Sequence, residues 1–383
     1  TTFGENHPTC SLEMTMNAYV NSLAGGKAVR SSARIEAFIR ATDFDRPTLV
    51  LDTELVAQQF RALKAGLGRA DIHYAVKANP ERAVIETLVA EGSHFDAASR
   101  GEIELCLGLG ARPETISFGN TIKKPVDIAF AYGAGITLFA ADSDMELEKI
   151  AAHAPGVEVY IRLLMGTTEA DWPLSRKFGT MESEVNALLA YAVHLGLKPV
   201  GLSFHVGSQT RRAEMWRDTL DRVANVWTSA REAGFDLSLI NIGGGFPAFY
   251  GEAIDAPEVY AAAVMDMVEP RFPGATRIMA EPGRGMVAEA GMIAAEVLLV
   301  SKKSQDDLHR WVYLDIGKFS GLAETMDEAI RYQFTTDRDH EEHGPCILAG
   351  PSCDSADVLY EKRPVQLPMG LTCGDKIIIR NCG

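Results

Sequence analysis

Residues 72–99 read IHYAVKANPERAVIETLVAEGSHFDAAS, and the alternation inside this stretch decides the fold. The apolar opening, IHYAVKAN, has the look of a buried strand and stops at Asn79–Pro80, a turn signal. ERAVIETLVAEG then carries apolar residues at helical spacing, and SHFDAAS returns to a short apolar run. Strand, helix, strand is the crossover unit of a parallel sheet.

The same unit repeats along the chain. Further strand-like runs begin at Thr115 (TISFGN), Thr137 (TLFAADS), Val157 (VEVYIRLL), Pro199 (PVGLSFHVGS), Leu239 (LINIGGGFP) and Arg277 (RIMAEPGR). Helical segments separate them. In AEMWRDTLDRVANVWTSAREAG, for instance, Met215, Leu220, Val223, Trp227 and Ala230 fall near one face. Eight units over about 240 residues predict an α/β chain with a (β/α)8 TIM barrel, a fold of ~250 residues, over 47–290. A doubly wound open sheet of that many strands would be unusually wide.

Beyond residue 290 the helical period disappears. AAEVLLVSKK, RWVYLDIG, PCILAGP, ADVLYEKRPVQL and DKIIIRNCG are strand-like and joined by turns, which predicts an all-β domain over 291–383. TTDRDHEEHGP reads as an exposed acidic loop, and its His340 and His343 lack metal-ligand spacing. Residues 1–46, with SSARIEAFIRAT as a short amphipathic helix, are expected to form an arm packed on either domain.

Composition narrows the function classes. A net charge of -15 argues against nucleic acid or an anionic membrane as partner, because those need clustered cations. No run approaches the roughly 20 apolar residues that span a bilayer. The six cysteines are scattered without CxxC or zinc spacing, so free thiols, no structural metal and a reducing, cytoplasmic setting are expected.

Barrel chemistry gathers where the strands end. Those ends carry Lys77, Asp96, Asn120, Asp142, Arg162, His205, Gly243 to Gly245, and Glu281 with Arg284. Lys77 stands in an apolar run. Such a lysine either reaches water along its stem or sheds its proton and becomes a nucleophile for carbonyls. GGGFP offers backbone N–H groups free of side chains, EPGR adds a guanidinium and HVGSQ a hydroxyl at Ser208. Together they predict an anion cradle at the position where barrels hold phosphate. A phosphate site plus a strand lysine points to pyridoxal phosphate, with Glu281 to partner the pyridine nitrogen and His205 to lie flat on the ring.

YAVKANP, HVGSQ, GGGFP, AEPGR and GPSCDSAD, in that order, resemble the fold-type III pyridoxal phosphate decarboxylases of ornithine, lysine, arginine and diaminopimelate, from about Pro47 to Gly383. The resemblance implies that Lys77 is the Schiff-base lysine and that Glu281 pairs with the pyridine nitrogen. It also implies that His205 stacks on the ring and that Ser208, Gly244, Gly245 and Arg284 hold the phosphate. Asp96, Glu102 and Arg162 match charged residues near the reacting centre. In the ornithine branch CDSAD enters the other subunit's site, which would make Cys353 a proton donor to the substrate carbon and Asp354 the holder of the distal ammonium. Lys177 and Asp357 match a pair that bridges subunits, so a homodimer with shared sites is expected. Asp315 stands one position before an acidic residue of that family and is the second candidate for the distal amine. The family also continues past Gly383 with a tyrosine that contacts the phosphate. The implied activity is α-decarboxylation of ornithine or lysine to putrescine or cadaverine. A diaminopimelate decarboxylase and a non-catalytic relative that binds a protein partner, as antizyme inhibitors do, stay open beside it.

Overall fold

The computed structural model describes residues 32–166 and 177–383, so Cys10 and most of the expected arm lie outside the described residues. A short helix, α1 (Ala33–Ala41), and a strand, β1 (Thr48–Leu51), precede the first long helix, α2 (Thr53–Leu67). Asp52 caps α2 by accepting the Glu54 N–H at 3.2 Å, which satisfies one of the donors a helix start leaves open.

Eight parallel strands then close a barrel: β2 (Asp71–Ala75), β3 (His94–Ala97), β4 (Ile116–Phe118), β5 (Leu138–Ala141), β6 (Glu158–Arg162), β7 (Lys198–Ser203), β8 (Leu239–Asn241) and β9 (Arg277–Ala280). Closure runs through β2 and β9, with Asp71 opposite Met279 and Ile72 opposite Ala280. The eight runs read from the sequence are these eight strands. Each is followed by a helix: α3 (Arg82–Ala90), α4 (Arg100–Gly108), α5 (Pro125–Gly133), α6 (Asp144–His153), α7 (Val185–His194), α8 (Arg217–Glu232), α9 (Pro257–Val268) and the single turn α10 (Arg284–Val287). Leu220, Val223, Trp227 and Ala230 of α8 are buried as their spacing predicts, while Met215 falls in the 3-10 turn before it. The main core lies between strands and helices, and Leu138, Ala140, Tyr160, Leu239 and Met279 fill the barrel interior.

The second part is one eight-stranded sheet made by β10 (Gly291–Ser301), β11 (Arg310–Leu314), β12 (Gln333–Thr336), β13 (His343–Ala349), β14 (Val358–Leu359), β15 (Val365–Pro368) and β16 (Lys376–Arg380), joined by β1. Pairing is antiparallel except between β11 and β13. Along β10, Ile293, Ala295 and Val297 enter the core of this sheet, while Met292 and Ala294 face Ile35 and Ile39 of α1.

Three details differ from the sequence expectation. Thr48–Leu51, grouped there with the barrel, pairs antiparallel with β10, so the chain visits the second sheet before entering the barrel. The expected acidic loop is shorter, because Thr335 and Thr336 complete β12 and His343 opens β13. ADVLYEKRPVQL holds two strands, β14 and β15, rather than one. Among the described residues no helix is long and apolar enough to cross a membrane.

Candidate active site

Period-two alternation places the side chains at the barrel mouth. Ile72, Tyr74 and Val76 pack in the core beneath the helices, so His73, Ala75 and Lys77 are in phase with the barrel axis. The same phase sends Asp96, Arg162, His205 and Glu281 inward between core neighbours such as Phe95, Ile161, Phe204 and Ala280.

A cavity of about 450 Å³ opens there, and Lys77, His205, Ser208, Gly244, Gly245, Glu281 and Arg284 all line it. Lys77 differs in one respect from its expected setting. β2 ends at Ala75, whose N–H bonds to the Pro282 carbonyl, and Lys77 sits on a 3-10 turn, Val76–Ala78, exposed at the mouth rather than buried within the strand. The stem need not desolvate its ammonium, because the barrel rim supplies open volume.

The glycine run is required by close backbone approach. Gly243 has φ +69°, and a Cβ there would lie 2.2 Å from the Phe204 carbonyl oxygen. At Gly244 a Cβ would meet the Glu281 carbonyl at 2.7 Å and His205 Nε2 at 3.3 Å. Gly245, at φ +108°, would meet the Gly207 carbonyl at 2.7 Å. The loops after β7, β8 and β9 are thus pressed together, leaving a wall without side chains. Gln209 ties two of them. Buried, with φ +60°, it accepts the Ala248 N–H at 3.0 Å and donates its amide to the Ala248 carbonyl.

Asn241 organises the next layer. Its oxygen accepts the Gly243 N–H at 2.9 Å and its amide donates to Glu281. His205 Nδ1 accepts the Gly207 N–H at 2.9 Å, which puts the proton of the neutral ring on Nε2. Burial, with Arg162 and Lys77 nearby, holds this imidazole down to about 3. Asp96 is pushed the opposite way. Burial and the Glu281 charge raise its carboxyl well above the usual range, against a smaller opposing effect of Lys77. Its Oδ1 is buried without a hydrogen bond. Arg284 pairs with both carboxylate oxygens of Glu324 and donates to the Tyr250 hydroxyl at 3.0 Å.

The remaining predicted residues lie elsewhere. Arg162 stacks its guanidinium 5.2 Å from the Phe178 ring centroid and stays off the cavity wall. Glu102, whose carboxyl burial raises, caps the start of α4 through the Ala98 N–H at 2.6 Å. Asn120 and Asp142 bond neighbouring backbone, at Ala98 and Gly179. Asp315 lines a different cavity with Asp43, Arg46, Glu296 and Lys376, and its Oδ1 accepts the Glu296 N–H at 2.8 Å, so the structure does not bring it to Lys77. Cys353 and Asp354 are exposed on the loop before β14 and do not line the cavity of their own chain. Asp357 is buried and accepts the Lys318 N–H and the Ser352 hydroxyl, each at 2.7 Å, within its own chain. Lys177 is exposed, 4.7 Å from the centroid of the Phe178 ring.

The sequence reading missed Tyr250, Glu324, Tyr332, Asn381 and Cys382, which also line the cavity. Most come from the second sheet and its turns, where no barrel periodicity flags them. Asn241, two residues before the first glycine of the run, was within reach as an inward-phased polar residue.

The comparisons with known proteins agree with this geometry. Residues 53–288 match the family model described as pyridoxal-dependent decarboxylase, pyridoxal binding domain. A lysine/ornithine decarboxylase of Selenomonas ruminantium is 30% identical over 341 residues, covering 88% of this chain and 84% of that protein. A lysine/ornithine decarboxylase from Vibrio vulnificus, solved with putrescine, superposes with TM-score 0.80 at 33% identity over 92% of this chain and 93% of that one. The arginine decarboxylase of Paramecium bursaria Chlorella virus, solved with agmatine, gives TM-score 0.81 at 28% identity over 91% and 94%.

Proposed function

The chain belongs to the pyridoxal-dependent decarboxylases, and from that premise we propose that it removes the α-carboxylate of a basic L-amino acid, ornithine or lysine, to leave a diamine. The observation that carries this reading is the single cavity shared by Lys77, His205, Ser208, Gly244, Gly245, Glu281 and Arg284. These residues fit pyridoxal phosphate. The wall around Gly244 admits no side chain, a hydroxyl and a guanidinium stand beside it, and Arg284 already holds a carboxylate. When bound, the cofactor's ring supplies the sink for the electron pair of the broken carbon–carboxylate bond.

Lys77 Nζ, at the open mouth, would be the nitrogen that holds the cofactor through its aldehyde. Glu281, oriented by the Asn241 amide, would hold a proton at the cofactor's pyridine nitrogen. His205, kept neutral, offers a flat uncharged ring. Ser208, Gly244, Gly245 and Arg284 would hold the cofactor's phosphate. Arg162 and Asp96 stand beneath the site, the Asp96 carboxyl biased toward its protonated form by burial and the Glu281 charge. Cys353 and Asp354 would act in the cavity of a second copy of this chain, Cys353 protonating the substrate carbon and Asp354 holding its distal ammonium. Their exposure outside their own cavity supports that arrangement. Asp315, in its separate cavity, has no part in it. Diamine production in a cytoplasmic setting belongs to the same proposal.

The test is carbon dioxide release from ornithine, lysine, arginine and diaminopimelate side by side, with Lys77→Ala beside the wild type. Turnover should be confined to the basic amino acids, and the variant should lose both turnover and the visible absorption that borohydride bleaches. A Lys77→Ala protein that released carbon dioxide at the wild-type rate would falsify the lysine's role.

A further inference from the structure

Arg284 does not present a bare guanidinium to the cavity. Its two terminal nitrogens face the two oxygens of Glu324, one contact at 2.7 Å, and the first also donates to the Tyr250 hydroxyl at 3.0 Å. The Tyr332 hydroxyl donates to the same carboxylate at 3.4 Å. The third nitrogen, Nε, is buried without a partner. Arg284 is 15% exposed and Glu324 45%, so the carboxylate covers the open end of the fork from the solvent side. Glu324 arrives from the 3-10 segment Ala323–Glu328 of the second part of the molecule, and it lines the same cavity as Ser208, Gly244 and Gly245.

A carboxylate and a phosphate both offer paired oxygens that match the guanidinium fork. With both terminal nitrogens paired to Glu324 and Nε buried, a phosphate can engage the fork with two of its oxygens only by replacing the carboxylate. Holding both on one largely buried arginine would set like charges side by side. We propose that Glu324 is a built-in stand-in for the cofactor phosphate. It keeps Arg284 aimed in the cofactor-free protein and hands the guanidinium over on loading. Glu324 is thus a positioning residue whose release couples cofactor binding to the segment Ala323–Glu328. The inference rests on the assignment of Arg284 to the phosphate.

The experiment titrates inorganic phosphate into the full chain stripped of cofactor, by calorimetry, for wild type, Glu324→Gln, Arg284→Gln and the double variant. Removing the competing carboxylate should tighten phosphate binding by about ten- to a hundredfold, the range expected for a charge-assisted pair. Arg284→Gln should abolish binding, and the double variant should show no gain, because the effect acts through the arginine. Glu324→Ser, which removes the charge by a different side chain, should reproduce the gain. If the Glu324 variants bind phosphate no tighter than wild type while Arg284→Gln abolishes binding, the stand-in role is overturned and the arginine assignment survives. If Arg284→Gln binds phosphate like wild type, the arginine assignment itself is wrong.

Discussion

Lys77 and Asp96 are neighbours in barrel phase with opposite problems. The lysine clears the end of β2 and meets open volume, whereas the carboxyl, on β3, is enclosed with one oxygen unpaired. Burial, then Glu281, makes the charged form of Asp96 costly and raises its proton affinity in the folded chain. The unfolded chain releases this proton near pH 4. Above that pH the folded state holds the proton that the unfolded state has lost, so the wild type loses stability as pH rises. Asparagine cannot titrate. Asp96→Asn should therefore stabilise the cofactor-free protein, by about 1–3 kcal/mol at pH 8, and the gain should widen steadily from about pH 4. Thermal unfolding across pH checks this, and a variant less stable than wild type throughout would refute it. The identity of such residues was legible in the sequence, because each closes a strand-like run. The opposite directions in which His205 and Asp96 are shifted were not, since they depend on what other strands bring alongside.

Between elements, the cradle depends on how the loops after β7 and β8 are held together. Gln209 does this with two bonds to the backbone of Ala248, and Thr210 adds one from its N–H to the Gly245 carbonyl at 3.0 Å. Gln209→Ala strands a buried donor and acceptor on Ala248 and keeps the left-handed backbone, so it should cost about 2–3 kcal/mol. The same variant should release cofactor faster on dilution, read from the decay of visible absorption. A Gln209→Ala protein with unaltered stability and cofactor retention would show that the clamp is dispensable. HVGSQ and GGGFP were each recognisable as loops in the sequence, but the clamp joining them was not, because its two halves stand 39 residues apart.

For the whole molecule, the residues named for proton return and substrate grip, Cys353 and Asp354, are outside the cavity that holds Lys77. If they serve a second copy, the two roles can be divided between chains. Lys77→Ala and Cys353→Ala proteins, each impaired alone, should regain decarboxylation when mixed and allowed to exchange subunits. Activity no higher than that of the separate variants would argue that each chain completes its own site. The second sheet matters to the cavity in another way. It supplies Glu324, Tyr332, Asn381 and Cys382 to the wall, so barrel and sheet build the site jointly.

The sequence by itself determined the eight repeated units, the polar and charged residues near the strand ends and the run of glycines after the seventh barrel strand. These are local properties, set by alternation, helical spacing and turn chemistry within a few residues. Only the tertiary structure decided that β1 joins β10, that Asp315 turns to another cavity, that Asp357 is bonded within its own chain and that Glu324 meets Arg284. Those pairings join segments far apart in sequence, and which of several carboxylates reaches a given arginine depends on sheet register and domain packing rather than on any local pattern.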